Sequence, residues 1–191
     1  MVGDGNKMKE MQSSISEIID QRSLIHNVSK TYLFVKRFLD IAVALTAILV
    51  HAPILLITAL WIKIRSRGAL FHVEDKYGLR GISFHSYEFS KIKSRYIGQL
   101  PQLFNVLKGH MSLVGPMPAS TQELSKDAWY NLRMSAKPGI TGLWQVSGKD
   151  GGVNEMVRVD LKYIRERSLW NDFKIALKAM RLMFKKGPKF M

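Results

Sequence analysis

Side chains able to do chemistry are few in this chain and unevenly placed. With no cysteine among 191 residues, a disulfide framework, a thiolate metal site and a cysteine nucleophile are all excluded, and a reducing, cytosol-facing location is suited. His72 and His85 lie on the two arms of a strand-turn-strand pattern, where they could face one another. No third ligand accompanies them, so they read as structural histidines and no metal site is assigned. His110 ends a short helical pattern, where a cation is favourable for the helix dipole alone. Asn27-Val28-Ser29 fits a glycosylation acceptor that a cytosol-facing segment would not use. Carboxylates are scarce: 29 Lys and Arg against 15 Asp and Glu give 29 − 15 = +14, and no acid occurs between Phe89 and Gln122. Such an excess calls for an anionic partner, which lipid headgroups, nucleic acid or an anionic small molecule would satisfy.

The elements that carry these charges narrow the choice. Residues 1–30 form a polar stretch with Met8, Met11, Ile15, Ile18, Arg22 and Ile25 spaced alternately three and four apart, read as an amphipathic helix or a tail. Ile41 to Ile62 then runs 22 residues without a formal charge, about 33 Å as a helix and long enough for a hydrocarbon core of about 30 Å. Pro53 lies near its middle, where a bend is expected. Lys30, Lys36 and Arg37 precede the segment and Lys63, Arg65 and Arg67 follow it, so the positive-inside tendency pulls both ends to one face. A helix that enters the bilayer, bends and returns satisfies both observations; a tilted span and a buried core helix are the alternatives. Ile41, Pro53 and Trp61 are assigned to the membrane on this reading.

Residues 68–191 read as a separate α+β, mostly helical region. LFHV and ISFHSYEF alternate as strands around Gly78 and Gly81, predicting a β-hairpin. Leu100 to Gly109 predicts a short helix with Pro101 in its first turn and Gly109 as its stop. A rigid loop, Ser112 to Pro118, is followed by a predicted helix from about Ser120 to Met134, the turn Lys137-Pro138-Gly139, and a segment from Ile140 to Gly152 with room for one short strand. From Arg158 to Met191 ten basic and three acidic residues give 10 − 3 = +7. Lys174, Lys178, Arg181 and Lys185 form one helical face, and Phe173, Ala176, Leu177, Met180, Met183 and Phe184 the opposing one. Such a basic amphipathic helix suits the headgroup layer of an anionic membrane, with a solvated surface helix as the alternative. No helix-turn-helix, RNP-like or zinc pattern supports nucleic acid.

The order of motifs resembles the bacterial sugar transferases, the monotopic phosphoglycosyl transferases that move a sugar 1-phosphate from a nucleotide diphosphate sugar onto polyprenyl phosphate. The resemblance rests on Lys36-Arg37-Phe38-Leu39-Asp40-Ile41, Ala52-Pro53, the Leu100 to Gly109 run, Met111-Ser112-Leu113-Val114-Gly115-Pro116, Lys137 to Val146, Asp160-Leu161-Lys162-Tyr163-Ile164 and Ser168-Leu169-Trp170-Asn171-Asp172, in family order from about Thr31 to Leu182. It implies a re-entrant helix over 31–67 kinked at the Ala-Pro step, a helical catalytic region at the cytosolic face of the bacterial inner membrane, and interfacial C-terminal helices. It also implies magnesium as cofactor and polyprenyl phosphate and a nucleotide sugar as ligands, with Lys91, Ser112, Pro116, Pro118, Lys137 and Gln145 as substrate-binding positions.

Several departures bear on activity. The family pattern before Leu-Pro-Gln is Ser-Leu-Asp-Glu, whose Asp attacks phosphate and whose Glu completes the dyad; here those positions are Gly98 and Gln99. Glycine has no nucleophile, and glutamine neither takes a proton nor holds magnesium as a carboxylate would. The Phe-Arg-Thr-Met strand motif is Phe89-Ser90-Lys91-Ile92, and Gly-Pro-Arg-Pro is Gly115-Pro116-Met117-Pro118, so two phosphate-facing arginines are lost and the connection from Phe89 to Gly98 is short. Stand-in acids would have to come from Glu88, Glu123, Asp127 or Asp160. The expectation is a catalytically inactive member that binds substrate, pairs with an active homologue or self-associates; transfer through a displaced carboxylate is the alternative.

Overall fold

The computed structural model describes residues 28–65, 68–92, 94–120, 128–148 and 151–186. The amphipathic segment expected in residues 1–30 lies outside these, apart from its last three residues.

One helix, α1 (Lys30–Arg65), dominates the N-terminal part. Its polar interruptions are satisfied within it: Thr46 Oγ1 donates to the Ala42 carbonyl at 2.9 Å, and His51 Nδ1 lies 2.7 Å from the Ala47 carbonyl. The proline does not interrupt the helix, which runs on from Pro53 to Arg65, where Lys63 and Arg65 complement the negative end of the dipole. One face, following Asp40, Ala44, Ala47, Ile48, His51, Leu55 and Ile62, turns toward the rest of the molecule, with Ala44 and Ile62 fully buried. The other face is bare: Phe34 is 77% exposed, Leu49 74% and Leu56 71%. α1 is long and apolar enough to cross a membrane.

The predicted hairpin forms from β1 (Phe71–Tyr77) and β2 (Ser83–Phe89), antiparallel with Phe71 opposite Phe89 and Tyr77 opposite Ser83. Its register corrects the expectation for the histidines, because His72 faces Glu88 and His85 faces Asp75, whose carboxylate it meets at 2.6 Å. Two short helices follow. α2 (Arg95–Gln99) is capped by Ser94, and α3 (Gln102–Lys108) starts after Pro101 and stops at Gly109, which takes φ 89° in the left-handed region that glycine tolerates.

After α3 the chain enters β3 (Ser112–Val114), then β4 (Ala119–Ser120), which pairs with β1 through Tyr77 and Lys76 and completes the order β2-β1-β4. The helix expected from about Ser120 to Met134 is corrected at its start, where Ser120 is in a strand; among the described residues of this span helix is present in α4 (Ala128–Asn131), followed by a 3-10 turn over Leu132–Ser135. β5 (Gly139–Thr141) pairs in parallel with β3, and α5 (Leu143–Ser147) occupies much of the segment left open for a strand. The crossing of β3 and β5 is close: a Cβ on Gly139 would fall 2.1 Å from the Gly115 nitrogen, and one on Gly115 2.4 Å from the Lys137 carbonyl oxygen.

α6 (Val153–Arg165) and α7 (Leu169–Lys186) complete the fold. Val157, Leu161, Tyr163 and Ile164 of α6 join Ile175 and Ala179 of α7, Val114 and Val146 in one core; Phe84, Leu100, Leu103, Val106 and Met111 form a second against Ala44 of α1. α7 has three faces instead of the expected two. Asp172, Ile175 and Ala179 are buried; Lys174, Lys178 and Arg181 are exposed; and Trp170 and Phe173, stacked at 5.7 Å, are exposed with Met180 as an outward apolar strip.

Candidate functional site

The positions singled out in the sequence gather at opposite ends of α3. Gly98 and Gln99 sit on α2, just before its N-terminal end. Tyr96, two residues earlier, hydrogen-bonds through its hydroxyl to Nε2 of His51 on α1, which ties α2 to the apolar helix. A Cβ added to Gly98 would meet only the Ile92 carbonyl, at 3.9 Å, so there is room for a side chain where glycine stands. The carboxylate bonded beside this junction is Glu88 at the end of β2, which accepts from Nε2 of Gln102 at 2.8 Å. Lys91 follows β2 in a left-handed conformation, φ 61°.

The other end of α3 faces a cavity of about 490 Å³. Arg37 donates to the Val106 and Leu107 carbonyls, at 2.6 and 2.8 Å, and so satisfies the orphan acceptors of α3. Asp40, 5% exposed, accepts from Ser112 Oγ at 2.8 Å and from the Leu113 nitrogen at 3.1 Å, which fixes β3 to α1. Asp172 gathers Lys36 Nζ at 2.8 Å, the Tyr32 hydroxyl at 2.9 Å and the Tyr163 hydroxyl at 2.7 Å. Burial, followed by the Asp172 charge, pushes both phenols well above their ordinary range. Two cations read as part of the basic flank of the apolar segment, Lys36 and Arg37, thus turn inward because partners 136 and 69 residues away in sequence stand beside them.

Lys137 and Ser112, both expected to bind substrate, line this cavity with Arg37, Asp40, Arg80 and Arg167. Burial and the neighbouring Arg37 push the Lys137 ammonium pKa down. Pro116 is fully buried and its carbonyl accepts from the Gly139 nitrogen, while Gln145 lies on α5 against Gly142; these two support the β3–β5 crossing and, with Pro118, are not among the cavity's walls. Reasoning from sequence passed over Arg80, Tyr163 and Arg167 as site residues. For Tyr163 and Arg167 the available signal was their place within or beside the quoted Asp160-to-Asp172 motifs; for Arg80 there was only a charge between turn glycines.

Asp160, a suggested stand-in acid, is fully buried 3.1 Å from Arg133 Nε and accepts from the Met117 nitrogen at 3.0 Å. Its pKa is raised to about 6, burial outweighing Arg133. Arg133 also donates to the Met117 carbonyl, so a guanidinium touches the loop where the family pattern has an arginine, but it is committed to Asp160. Glu123 and Asp127 lie outside the described residues. Among the described residues no three His, Cys, Asp or Glu side chains converge, and positions 98 and 99 offer no carboxylate, which leaves Glu88 as the acid beside this end of α3.

The family model described as bacterial sugar transferase matches residues 31–95 and 90–186, two stretches that meet between β2 and α2. The chain is 33% identical over 184 residues to a UDP-glucose:undecaprenyl-phosphate glucose-1-phosphate transferase of Caulobacter vibrioides, covering 76% of this chain and 68% of that protein. It is 31% identical over 203 residues to an undecaprenyl-phosphate galactose phosphotransferase of Salmonella typhimurium, covering 82% of this chain and 42% of that one. With the galactosyl transferase CpsE of Streptococcus agalactiae the identity is 31% over 193 residues, 80% of this chain and 43% of that one. It thus spans under half the length of the latter two relatives. Two matched stretches that together run from α1 to the end of α7, and similarity to sugar-phosphate transferases along most of its length, establish that this chain belongs to the bacterial sugar transferase family.

Proposed function

We propose that this protein sits on the cytosolic face of the bacterial inner membrane and binds polyprenyl phosphate or a nucleotide sugar without transferring sugar 1-phosphate, serving as a binding or partner subunit in polysaccharide initiation. The observation that carries the reading is the pair Gly98 and Gln99 on α2, where phosphoryl transfer by this family's pattern needs a nucleophilic and a paired acid. The division of the family match into two stretches that overlap at residues 90–95 supports it, because that is the segment read as shortened. An active homologue would then supply the missing acids, which a second copy of this chain, carrying the same Gly98 and Gln99, would not. The decisive assay supplies a radiolabelled nucleotide sugar, polyprenyl phosphate and magnesium to the pure protein. No release of nucleoside monophosphate is expected; magnesium-dependent release overturns the reading.

One observation favours a second reading, in which transfer proceeds through a displaced carboxylate: Glu88 stands within hydrogen-bond distance of Gln102 beside the α2–α3 junction. Should turnover occur, Glu88→Gln abolishes it on this reading.

For the membrane, we propose that α1 enters one leaflet and returns. Its body-facing side carries contacts from Arg37 through Leu55, and Ile62 beyond them is buried, which supports both ends lying at one face; the outward strip of α7 suits the same interface. Because the chain has no background cysteine, Lys30→Cys and Ser66→Cys can be probed with impermeant reagents. Labelling from opposite faces overturns the re-entrant reading.

A further inference from the structure

We infer that residues 8–25 of this chain dock as an amphipathic helix on the groove between the start of α1 and the α6–α7 corner, an intrachain contact that screens the way into the cavity. The inference goes beyond the binding reading above and holds whether or not sugar 1-phosphate is transferred.

The groove supplies the first argument. It measures about 440 Å³, with Val35 of α1, Ile164 of α6 and Leu169 of α7 on its floor and the exposed Arg165 at its rim. Leu169 is 37% exposed, an apolar side chain without full cover among the described residues. Val28, where the described chain begins, lines both the groove and the cavity, and so does Tyr32. Whatever fills the groove therefore stands beside the cavity.

Attachment is the second. The chain preceding Val28 joins the body at the groove itself, and Ile25 is only three positions before it. So short a tether gives the segment an effective concentration that a separate chain would not reach. Met8, Met11, Ile15, Ile18 and Ile25 share one helical face over residues 8–25, about 27 Å of helix. An isolated helix of that length is marginal in water, so its apolar face calls for a surface.

Charge decides which surface. From Glu10 to Gln21 the acids Glu10, Glu17 and Asp20 occur with no Lys or Arg, although the whole chain carries +14. Anionic headgroups repel such a stretch, whereas α6 attracts it. Arg158, Lys162 and Arg165 form an exposed stripe along α6 that leads to the groove, and none of them pairs with a carboxylate among the described residues. Glu10 and Glu17 fall together on one side of the apolar face, seven residues apart, the same separation as Arg158 and Arg165.

Because the chain has no cysteine, Leu169→Cys provides a single reporter in the groove. The full chain is placed one copy per phosphatidylcholine nanodisc, and its maleimide labelling rate is measured beside that of Ile82→Cys, at the exposed turn of the hairpin. Adding Ile15→Asp/Ile18→Asp is expected to speed labelling of Leu169→Cys about tenfold and to leave Ile82→Cys unchanged. Arg158→Glu/Arg165→Glu is expected to speed it as well, and Glu10→Lys/Glu17→Lys in that background to restore protection. Equal labelling of Leu169→Cys with and without Ile15→Asp/Ile18→Asp overturns the inference. So does protection that appears only in discs holding two copies, which assigns the groove to a second chain.

Discussion

The two ends of α3 have been treated differently by this sequence. At its N-terminal end, α2 carries a glycine with open space around it and a glutamine, tied to the body by the Tyr96–His51 contact and the Glu88–Gln102 bond. At its C-terminal end a set of charged groups is engaged: Arg37 holds the last carbonyls, Asp40 holds β3, and Asp172 collects a lysine and two tyrosines. The contrast separates what the scaffold needs from what transfer needs. Framework groups stand where they satisfy buried donors and acceptors, while at position 98, although the backbone is buried, a side chain would meet only the Ile92 carbonyl.

The contrast can be broken most forcefully at the β3–β5 crossing. Gly139→Ala places a methyl inside backbone contact distance, and the expected result is loss of folded protein, read as failure to recover a cooperative thermal transition after detergent extraction. Next in size, Arg133→Met leaves Asp160 buried without its partner and costs about 3–5 kcal/mol by chemical denaturation, with the double variant Arg133→Met/Asp160→Leu recovering part of that loss. Asp172→Asn removes the charge shared by Lys36 and the two phenols, for an expected loss of about 1–3 kcal/mol. At the opposite end of α3, Gly98→Ala should be neutral or stabilising by up to about 1 kcal/mol, and a loss there would mean that position 98 is structural after all.

A separate effect concerns pH. Asp160 has a folded pKa of about 6, above the ordinary 3.8, so the folded state binds the proton more tightly. Its contribution is full below pH about 4 and is lost as pH rises through about 6. Melting temperatures across that window should fall less steeply in Asp160→Asn than in the parent.

Much of this was legible. The hairpin, the Pro101–Gly109 helix and the C-terminal helix follow from period and punctuation, which are local signals. The failures are non-local. Nothing near Ser120 announces that it pairs with Lys76, so a helical pattern was extended across a strand. Lys36 and Arg37 read only as a basic flank of the apolar segment because their partners lie far along the chain. Two faces are expected of α7, where packing against α5, β3 and β5 creates three. At the site, the missing acids at 98 and 99 were visible as residue identities, whereas the cavity was not, since Arg80, Lys137 and Arg167 are brought to Arg37 only by the tertiary fold.

One feature of α1 reaches beyond the protein itself. At about 54 Å for 36 residues, it is longer than a leaflet is deep, and one side of it is fastened to the body along most of that length. Lodged in a single leaflet, such a rod displaces lipid from that leaflet alone and acts as a wedge. The molecule would then favour outwardly curved membrane, concentrating on small vesicles over large ones of the same composition.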